Sequence, residues 1–126
     1  MCYSAPISLV TYVIGIAGCA RLLTKRDYVP EAVFYGWTAH MQLIDFFVHM
    51  NPTCGFANAA VTKFGLLVNH LEPLALYAGI KLAGRENFVV RLFAGAYATA
   101  AFAYSLIAWL SVSCTRVVPS VSRPLS

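Results

Sequence analysis

The chain of 126 residues is 60% hydrophobic, has only 11% charged residues and a mean hydropathy of +0.69. Soluble domains average about 45–50% apolar and about 25% charged residues, so this composition excludes an ordinary soluble domain and indicates a membrane protein. The net charge of +4 does not come from basic runs interleaved with aromatic residues, so no nucleic-acid partner is expected.

The length is sufficient for four membrane-spanning helices, because each span needs about 20 residues. We predict an all-α fold, a four-helix transmembrane bundle over residues 1–113, followed by a non-helical tail at 114–126. The third helix is expected to kink at Pro73, whose ring clashes with the carbonyl of Asn69. The predicted helices run over about 6–23, 31–50, 56–83 and 90–113.

The first apolar segment is uncharged over residues 5–20, as in a secretory signal. A signal begins with basic residues, and Met1-Cys2-Tyr3-Ser4 has none. Ile16-Ala17-Gly18-Cys19 is similar to a lipoprotein cleavage box but lacks the same basic start. We therefore interpret this segment as a retained helix.

Small residues at helical spacing predict close contacts between helices in a membrane. On the first helix they are Ser8, Thr11, Gly15 and Gly18. On the fourth they are Gly95, Thr99 and Ala103, with Ala94 and Ala98, and with Ala96 and Ala100. Tyr97 and Tyr104 share one face of the fourth helix, where packing is favoured over a functional tyrosine pair.

The second and third predicted helices carry polar residues inside apolar segments. An ionisable side chain in the middle of a bilayer costs roughly 2.5–3.5 kcal/mol, so it normally faces the protein interior. The turn at Asn51 to Gly55 is short, which predicts antiparallel neighbours. We predict that these residues form a buried polar core: Thr38, Gln42, Asp45, His49, Asn58, Thr62, Lys63, Asn69, His70 and Glu72.

Pairing the two helices about the turn gives a register. Asp45 comes level with Thr62 and Lys63, which predicts an ion pair between Asp45 and Lys63. The same register brings Gln42 near Gly65. Polar groups facing each other across two helices would hold the bundle together.

Basic residues indicate the orientation in the membrane. Six of the nine Lys and Arg residues lie in or beside the first and third loops, which are therefore predicted to be cytoplasmic, with both termini and the Asn51 to Gly55 turn on the other side. Loops 24–30 and 84–91 and the tail are expected to contact protein partners.

Three cysteines, Cys2, Cys54 and Cys114, fall on the predicted non-cytoplasmic side. A disulfide between Cys54 and Cys114, a disulfide between Cys2 and Cys54, and free thiols are all compatible with the sequence. Cys2 is also a candidate for modification, as a lipidation site or as a nucleophile exposed by removal of Met1.

Three motifs carry a family resemblance: Met1-Cys2-Tyr3-Ser4, Met41-Gln42-Leu43-Ile44-Asp45 and Asn69-His70-Leu71-Glu72-Pro73. They resemble an uncharacterised family of small polytopic membrane proteins found in large DNA viruses of algae and protists and in some bacteria. That family begins Met-Cys-Trp/Tyr-Ser and carries Met-Gln-x-x-acid and His-Leu-Gln-Pro. Glu72 stands where the family has Gln. The resemblance implies a viral internal membrane and a link to capsid proteins.

Three functions are compatible with the polar core. The first is a structural or scaffolding role, in which the polar residues join the helices. The second is a proton or ion relay through Asp45, His49, Lys63, His70 and Glu72. The third is a haem or metal site on His40, His49 and His70, although His40 points away from the polar stripe and no metal-type spacing is present. We expect the first, with no enzymatic activity, cofactor or metal.

Overall fold

The computed structural model describes residues 4–115, which are helical with no strand, so the predicted all-α class is confirmed. Cys2 and residues 116–126 of the predicted tail lie outside this part, and Cys114 and Thr115 are non-helical. A 3₁₀ turn at Arg26–Tyr28 joins the first two helices. The α-helices are α1 (Ala5–Leu23), α2 (Val29–Met50), α3 (Phe56–His70), α4 (Glu72–Leu82) and α5 (Phe88–Ser111).

The helices begin where the sequence provides start signals. Proline occupies the first or second position of α1, α2 and α4, where its missing N–H has no intrahelical partner to lose. Asn87 precedes α5, and its side-chain oxygen accepts a hydrogen bond of 2.9 Å from the backbone N–H of Val90. This cap satisfies one of the free donors of the first turn.

The segment predicted as one kinked helix is two helices that meet at Leu71. Leu71 has φ −89° and ψ −2°, and its N–H is shared between the carbonyls of Leu67 and Val68 at 3.1 and 3.2 Å. Pro73 lies in the first turn of α4. The proline therefore begins a new helix rather than bending a continuous one, because the break upstream relieves its clash with the carbonyl of Asn69.

The helices form a row in the order α1, α2, the α3–α4 pair and α5. α2 packs against α1 on one side and against α3 and α4 on the other, and α5 packs against α3 and α4. Within residues 4–115, α1 and α5 have no Cα atoms within 8 Å of each other. The contact that would close a four-helix bundle is therefore missing from this part of the chain.

Small residues allow α1 and α2 to pack closely as antiparallel helices. A Cβ placed on Gly15 would lie 3.3 Å from Cβ of Ala39, and one on Gly36 would lie 3.7 Å from Cβ of Cys19. Ser8 is fully buried in the same region. Thr11 and Gly18, which were predicted to share this stripe, are exposed.

The contact between α2 and the α3–α4 pair, which we call the seam, is apolar and close. Ile44, Val48 and Val68 are buried together with Trp37, Met41 and Val61 packed against them. A Cβ on Gly65 would lie 2.8 Å from Cγ2 of Ile44, and one on Gly79 would lie 2.6 Å from Cα of Pro30. Glycine makes room for the neighbouring helix at both positions, for the side chain of Ile44 at Gly65 and for the backbone of Pro30 at Gly79.

Candidate functional site

Polar residues of α2 and α3 run along one side of the seam, and we call this side the polar furrow. At about 100° per residue, the polar stripe of each helix lies roughly a quarter turn from the residues that form the seam. Because the helices are antiparallel, these rotations place both stripes on the same side. The polar furrow consists of Thr38, Gln42, Asp45, His49, Asn58, Thr62 and Asn69.

Burial in the predicted polar core is uneven. Asn58 has 0% exposed surface. Asn69 and Pro73 are exposed, and the other predicted core residues are half-buried: Thr38, Gln42, Asp45, His49, Thr62, Lys63, His70 and Glu72. The seam between the helices is thus filled by apolar side chains, and the polar residues lie beside it.

Asn58 joins three parts of the chain at one end of the furrow. Its Nδ2 donates to the carbonyl of Asn51 at 2.6 Å and to the carbonyl of Thr115 at 2.9 Å. Its Oδ1 accepts from the backbone N–H of Thr115 at 3.0 Å and from the hydroxyl of Thr62 at 3.3 Å. The carboxamide therefore uses both its donor and its acceptor to hold the segment after α5 against α3.

A disulfide reinforces this attachment. Cys54, just before α3, is bonded to Cys114, and the two Cα atoms are 5.6 Å apart. The hydroxyl oxygens of Thr62 and Thr115 also lie 3.1 Å apart, and Oγ1 of Thr62 accepts from the backbone N–H of Thr115 at 3.1 Å. Of the alternatives compatible with the sequence, the structure contains the bond between Cys54 and Cys114, and Cys19 is a buried free thiol.

The structure does not contain the predicted ion pair between Asp45 and Lys63. The ion pairs among residues 4–115 are Asp27–Arg85 and Glu86–Arg91. The ammonium of Lys63 lies 5.4 Å from the ring centroid of Trp109 on α5, a distance typical of cation–π contacts. Lys63 is nearly half a turn of α3 away from the seam, so its side chain points to α5 and not to α2.

The three histidines each bond to their own helix. Nδ1 of His40, His49 and His70 donates to the carbonyl four residues earlier, at 2.8, 2.8 and 2.6 Å. The His70 ring also packs against Tyr104, with centroids 4.8 Å apart, and its carbonyl accepts from the hydroxyl of Tyr97 at 2.9 Å. Tyr97 and Tyr104 therefore connect α5 to the end of α3.

The residues predicted for a proton relay or a metal site do not form a common cluster. Within residues 4–115 no group of three His, Cys, Asp or Glu side chains has the geometry to hold a metal ion. In the same part of the chain, no hydrogen bond joins two side chains of the relay candidates, which are Asp45, His49, Lys63, His70 and Glu72. No buried side-chain N or O atom in this part of the chain lacks a hydrogen-bond partner.

The opposite side of the seam is an apolar groove. It encloses a cavity of about 290 Å³ that opens to the surface between α2 and α3. The cavity is lined by His40, Leu43, Ile44, Phe47, Ala60, Val61 and Phe64. The seam thus separates a polar side from an apolar side.

The loops at the far end of the helices are joined by charged groups. Arg85 donates to the carboxylate of Asp27 at 2.8 Å and to the backbone carbonyl of Asp27 at 3.3 Å. The hydroxyl of Tyr77 donates a short hydrogen bond to the Glu86 carboxylate, which also accepts from Nε of Arg91 at 3.1 Å. The Tyr77 hydroxyl, followed by Arg91, lowers the pKa of the Glu86 carboxyl below its usual value.

Two contacts in the structure were not predicted from the sequence. Trp37 donates from Nε1 to the carbonyl of Val68 at 2.8 Å and so pins α2 to α3 one turn before the break at Leu71. Thr115 was placed in a non-helical tail, yet it shares two hydrogen bonds with Asn58 and two with Thr62. The sequence did carry one signal for the second contact, because the adjacent Cys114 was a disulfide candidate.

No protein-family model, curated protein or solved structure matches the chain.

Proposed function

We propose that this chain is an integral membrane protein that crosses the bilayer four times and has a structural role. The observation that carries the proposal is the exposure of the two outer helices. α1 and α5 are long and apolar enough to cross a membrane, with mean hydropathies of 1.6 and 1.4, yet only 11% and 6% of these segments are buried by the protein. An apolar helix left uncovered by protein is stable when lipid covers it.

The packing of the inner helices extends this proposal to four spans. α2 and the α3–α4 pair lie between α1 and α5 in the row and run antiparallel to their neighbours. Asn58 and Thr62 are bonded in the network at one end of α3, and the polar residues of α2 lie half-buried in the polar furrow, whereas the outer surfaces of α1 and α5 are apolar. The close packing of α1 on α2 supports a retained first helix rather than a cleaved signal.

The chemistry of the two ends supports one orientation. The Cys54–Cys114 disulfide lies at the end that also holds the Asn51 to Gly55 turn, and disulfides persist in oxidising compartments. The basic loops around Arg26 and Arg85 lie at the opposite end, as expected for the cytoplasmic side. We place both termini on the non-cytoplasmic side.

Insertion and orientation can be tested together. The protein should stay in the membrane pellet after alkaline extraction. In a Cys2→Ala/Cys19→Ala background, Met50→Cys at the disulfide end should react with an impermeant maleimide added outside cells. Lys25→Cys should react only after permeabilisation. Extraction into the supernatant would refute the membrane proposal, and the reverse labelling pattern would refute the orientation.

The structural role is supported by where the polar groups are bonded. Each histidine Nδ1 is bonded to its own helix, and the Asn58 carboxamide is used in holding the chain together. The viral internal membrane with a capsid link belongs to the same proposal and rests on the three motifs that carry the family resemblance.

A proton relay makes the opposite prediction, so liposomes can separate the two functions. For a structural protein, proton flux into proteoliposomes should equal the flux into empty vesicles. Glu72→Gln, which removes a half-buried carboxyl group, should then leave the flux unchanged. Flux that is above the background in the wild type and lost in Glu72→Gln would contradict the structural role.

A further inference from the structure

Charged residues are concentrated at one end of the row of helices. Six basic residues, which we call the cationic rim, surround the ends of α1, α2, α4 and α5: Arg21, Lys25, Arg26, Lys81, Arg85 and Arg91. All six are exposed. The acids of the same region are Asp27, Glu31 and Glu86, so the end has a net charge of +3.

The ion pairs divide this rim into a fixed part and a free part. Arg85 and Arg91 are neutralised by Asp27 and Glu86. The Asp27–Arg85 pair also ties the loop between α1 and α2 to the loop between α4 and α5. Among residues 4–115, Arg21, Lys25, Arg26 and Lys81 have no carboxylate within 4.0 Å. The joined loops therefore present four uncompensated cations on one surface.

We propose that the cationic rim binds the headgroups of anionic phospholipids. This inference rests on the membrane-spanning function proposed above. Arg21 and Lys81 are in the last turns of α1 and α4. The guanidinium of Arg21 and the ammonium of Lys81 therefore lie where these helix ends would meet the headgroup layer. Tyr28 is 49% exposed beside the rim, and tyrosine side chains are favoured at this depth.

Charge complementarity selects this occupant of the surface. Lipid phosphates surround every helix end at this depth, whereas a single acidic protein segment would have to reach free cations from two different loops. Basic residues next to a membrane attract anionic lipids within about one Debye length, roughly 10 Å at moderate salt. The rim cations on neighbouring helix ends can therefore act together on several headgroups.

Spin-labelled lipids can test the proposal with the full chain in vesicles. The immobilised fraction of spin-labelled phosphatidylglycerol is compared with that of spin-labelled phosphatidylcholine. At low salt we expect about fivefold enrichment of phosphatidylglycerol at the protein surface, falling towards onefold at high salt. Equal immobilisation of the two lipids by inserted protein would overturn the inference and leave the membrane-spanning proposal standing.

Two charge-matched double variants locate the effect. Lys25→Gln/Arg26→Gln removes two free rim cations and should lower the enrichment at least twofold. Arg116→Gln/Arg123→Gln removes the same charge from the other end of the sequence and should leave it unchanged. An equal decrease in both variants would overturn the rim assignment. Resistance to alkaline extraction, measured on each sample, distinguishes a failure of insertion from a failure of lipid binding.

Discussion

Asn58 is the fully buried carboxamide on which the end of the row depends. It bonds the carbonyl of Asn51 in the turn before α3 and both backbone groups of Thr115 after α5. A buried backbone group that loses its partner costs about 1–3 kcal/mol, since it has already given up water. The Asn58 side chain therefore contributes to stability by satisfying backbone groups of two other segments of the chain.

Asn58→Ala should lower the free energy of unfolding by roughly 1–3 kcal/mol, because the carbonyls of Asn51 and Thr115 lose the Asn58 donor. Unfolding by SDS in mixed micelles measures this. Asn69→Ala is the matched control, since Asn69 is on the same helix but exposed, and it should change stability by less than about 0.5 kcal/mol. Equal losses in the two variants would contradict the role given to Asn58.

Glu86 should make stability depend on pH. Its pKa is lowered in the folded protein by the Tyr77 hydroxyl and Arg91, so the carboxylate stabilises the fold at neutral pH. This contribution is lost as the pH falls through the lowered pKa. Wild type should be more stable than Glu86→Gln at neutral pH, and the two unfolding curves should converge in acid.

Tyr77→Phe tests why the pKa of Glu86 is lowered, because it removes the hydrogen bond that contributes most to that shift. The pKa of Glu86 should then lie closer to its unfolded value, so the loss of stability in acid should be smaller than in wild type and should end at a higher pH. If wild type and Glu86→Gln show the same dependence on pH, the carboxylate has no such role.

Lys63 illustrates what the sequence could not predict at this scale. The short turn correctly indicated antiparallel helices, and Lys63 was within two residues of the level of Asp45. A turn constrains how far two helices slide but leaves their rotation open. Apolar packing decided the rotation, because Ile44 fits against Gly65 and turns Lys63 towards Trp109.

At the scale of the elements, two glycines set the spacing of α2 from the α3–α4 pair. Gly65 meets the side chain of Ile44, whereas Gly79 meets the backbone of Pro30. Side-chain atoms can shift by a rotamer change, but backbone atoms move only if the helix moves. Gly79 is therefore the stricter of the two contacts.

Gly79→Ala should destabilise the protein by about 1–3 kcal/mol, because the added Cβ would lie 2.6 Å from Cα of Pro30. Gly95→Ala is the control: Gly95 is also helical, but an added Cβ there meets no atom within 4 Å. Alanine has the better helix propensity, so this variant should gain about 0.5–1 kcal/mol. SDS unfolding of both proteins measures the difference, and a stable Gly79→Ala protein would contradict the close contact.

The elements themselves were largely predictable. Proline starts, loop residues and apolar periodicity predicted helices close to α1, α2 and α5. The register of α2 against the next helix was two residues away, since Ile44 and not Gln42 lies opposite Gly65. The break at Leu71 was missed because proline alone does not distinguish a kink inside a helix from the start of a second one.

At the scale of the whole molecule, the two ends of the row are held by different chemistry. One end has the disulfide and the Asn58 network, and the other has exposed ion pairs at Asp27–Arg85 and Glu86–Arg91. Exposed ion pairs contribute little and weaken with salt. Salt should therefore loosen the loop end and leave the disulfide end unchanged.

The disulfide predicts a specific peptide map. After alkylation in denaturant without reductant, trypsin should release residues 27–63 bonded to residues 92–116, through Cys54 and Cys114. Cys54→Ser should leave Cys114 alkylated. The free energy of unfolding of this variant in SDS should be lower than that of the wild type, by up to about 4 kcal/mol for a loop of this length. Separate alkylated peptides from the wild-type protein would refute the bond.

The position of Cys114 also dictates the order of events during biogenesis. In the proposed orientation, Cys54 would reach the non-cytoplasmic side early, whereas Cys114 follows α5 and would reach it only after that helix has been inserted. The disulfide-closed loop that contains α3, α4 and α5 could therefore form only after α5 has been inserted. On that proposal, formation of this one bond would distinguish chains with an inserted α5 from stalled or inverted ones on a non-reducing gel.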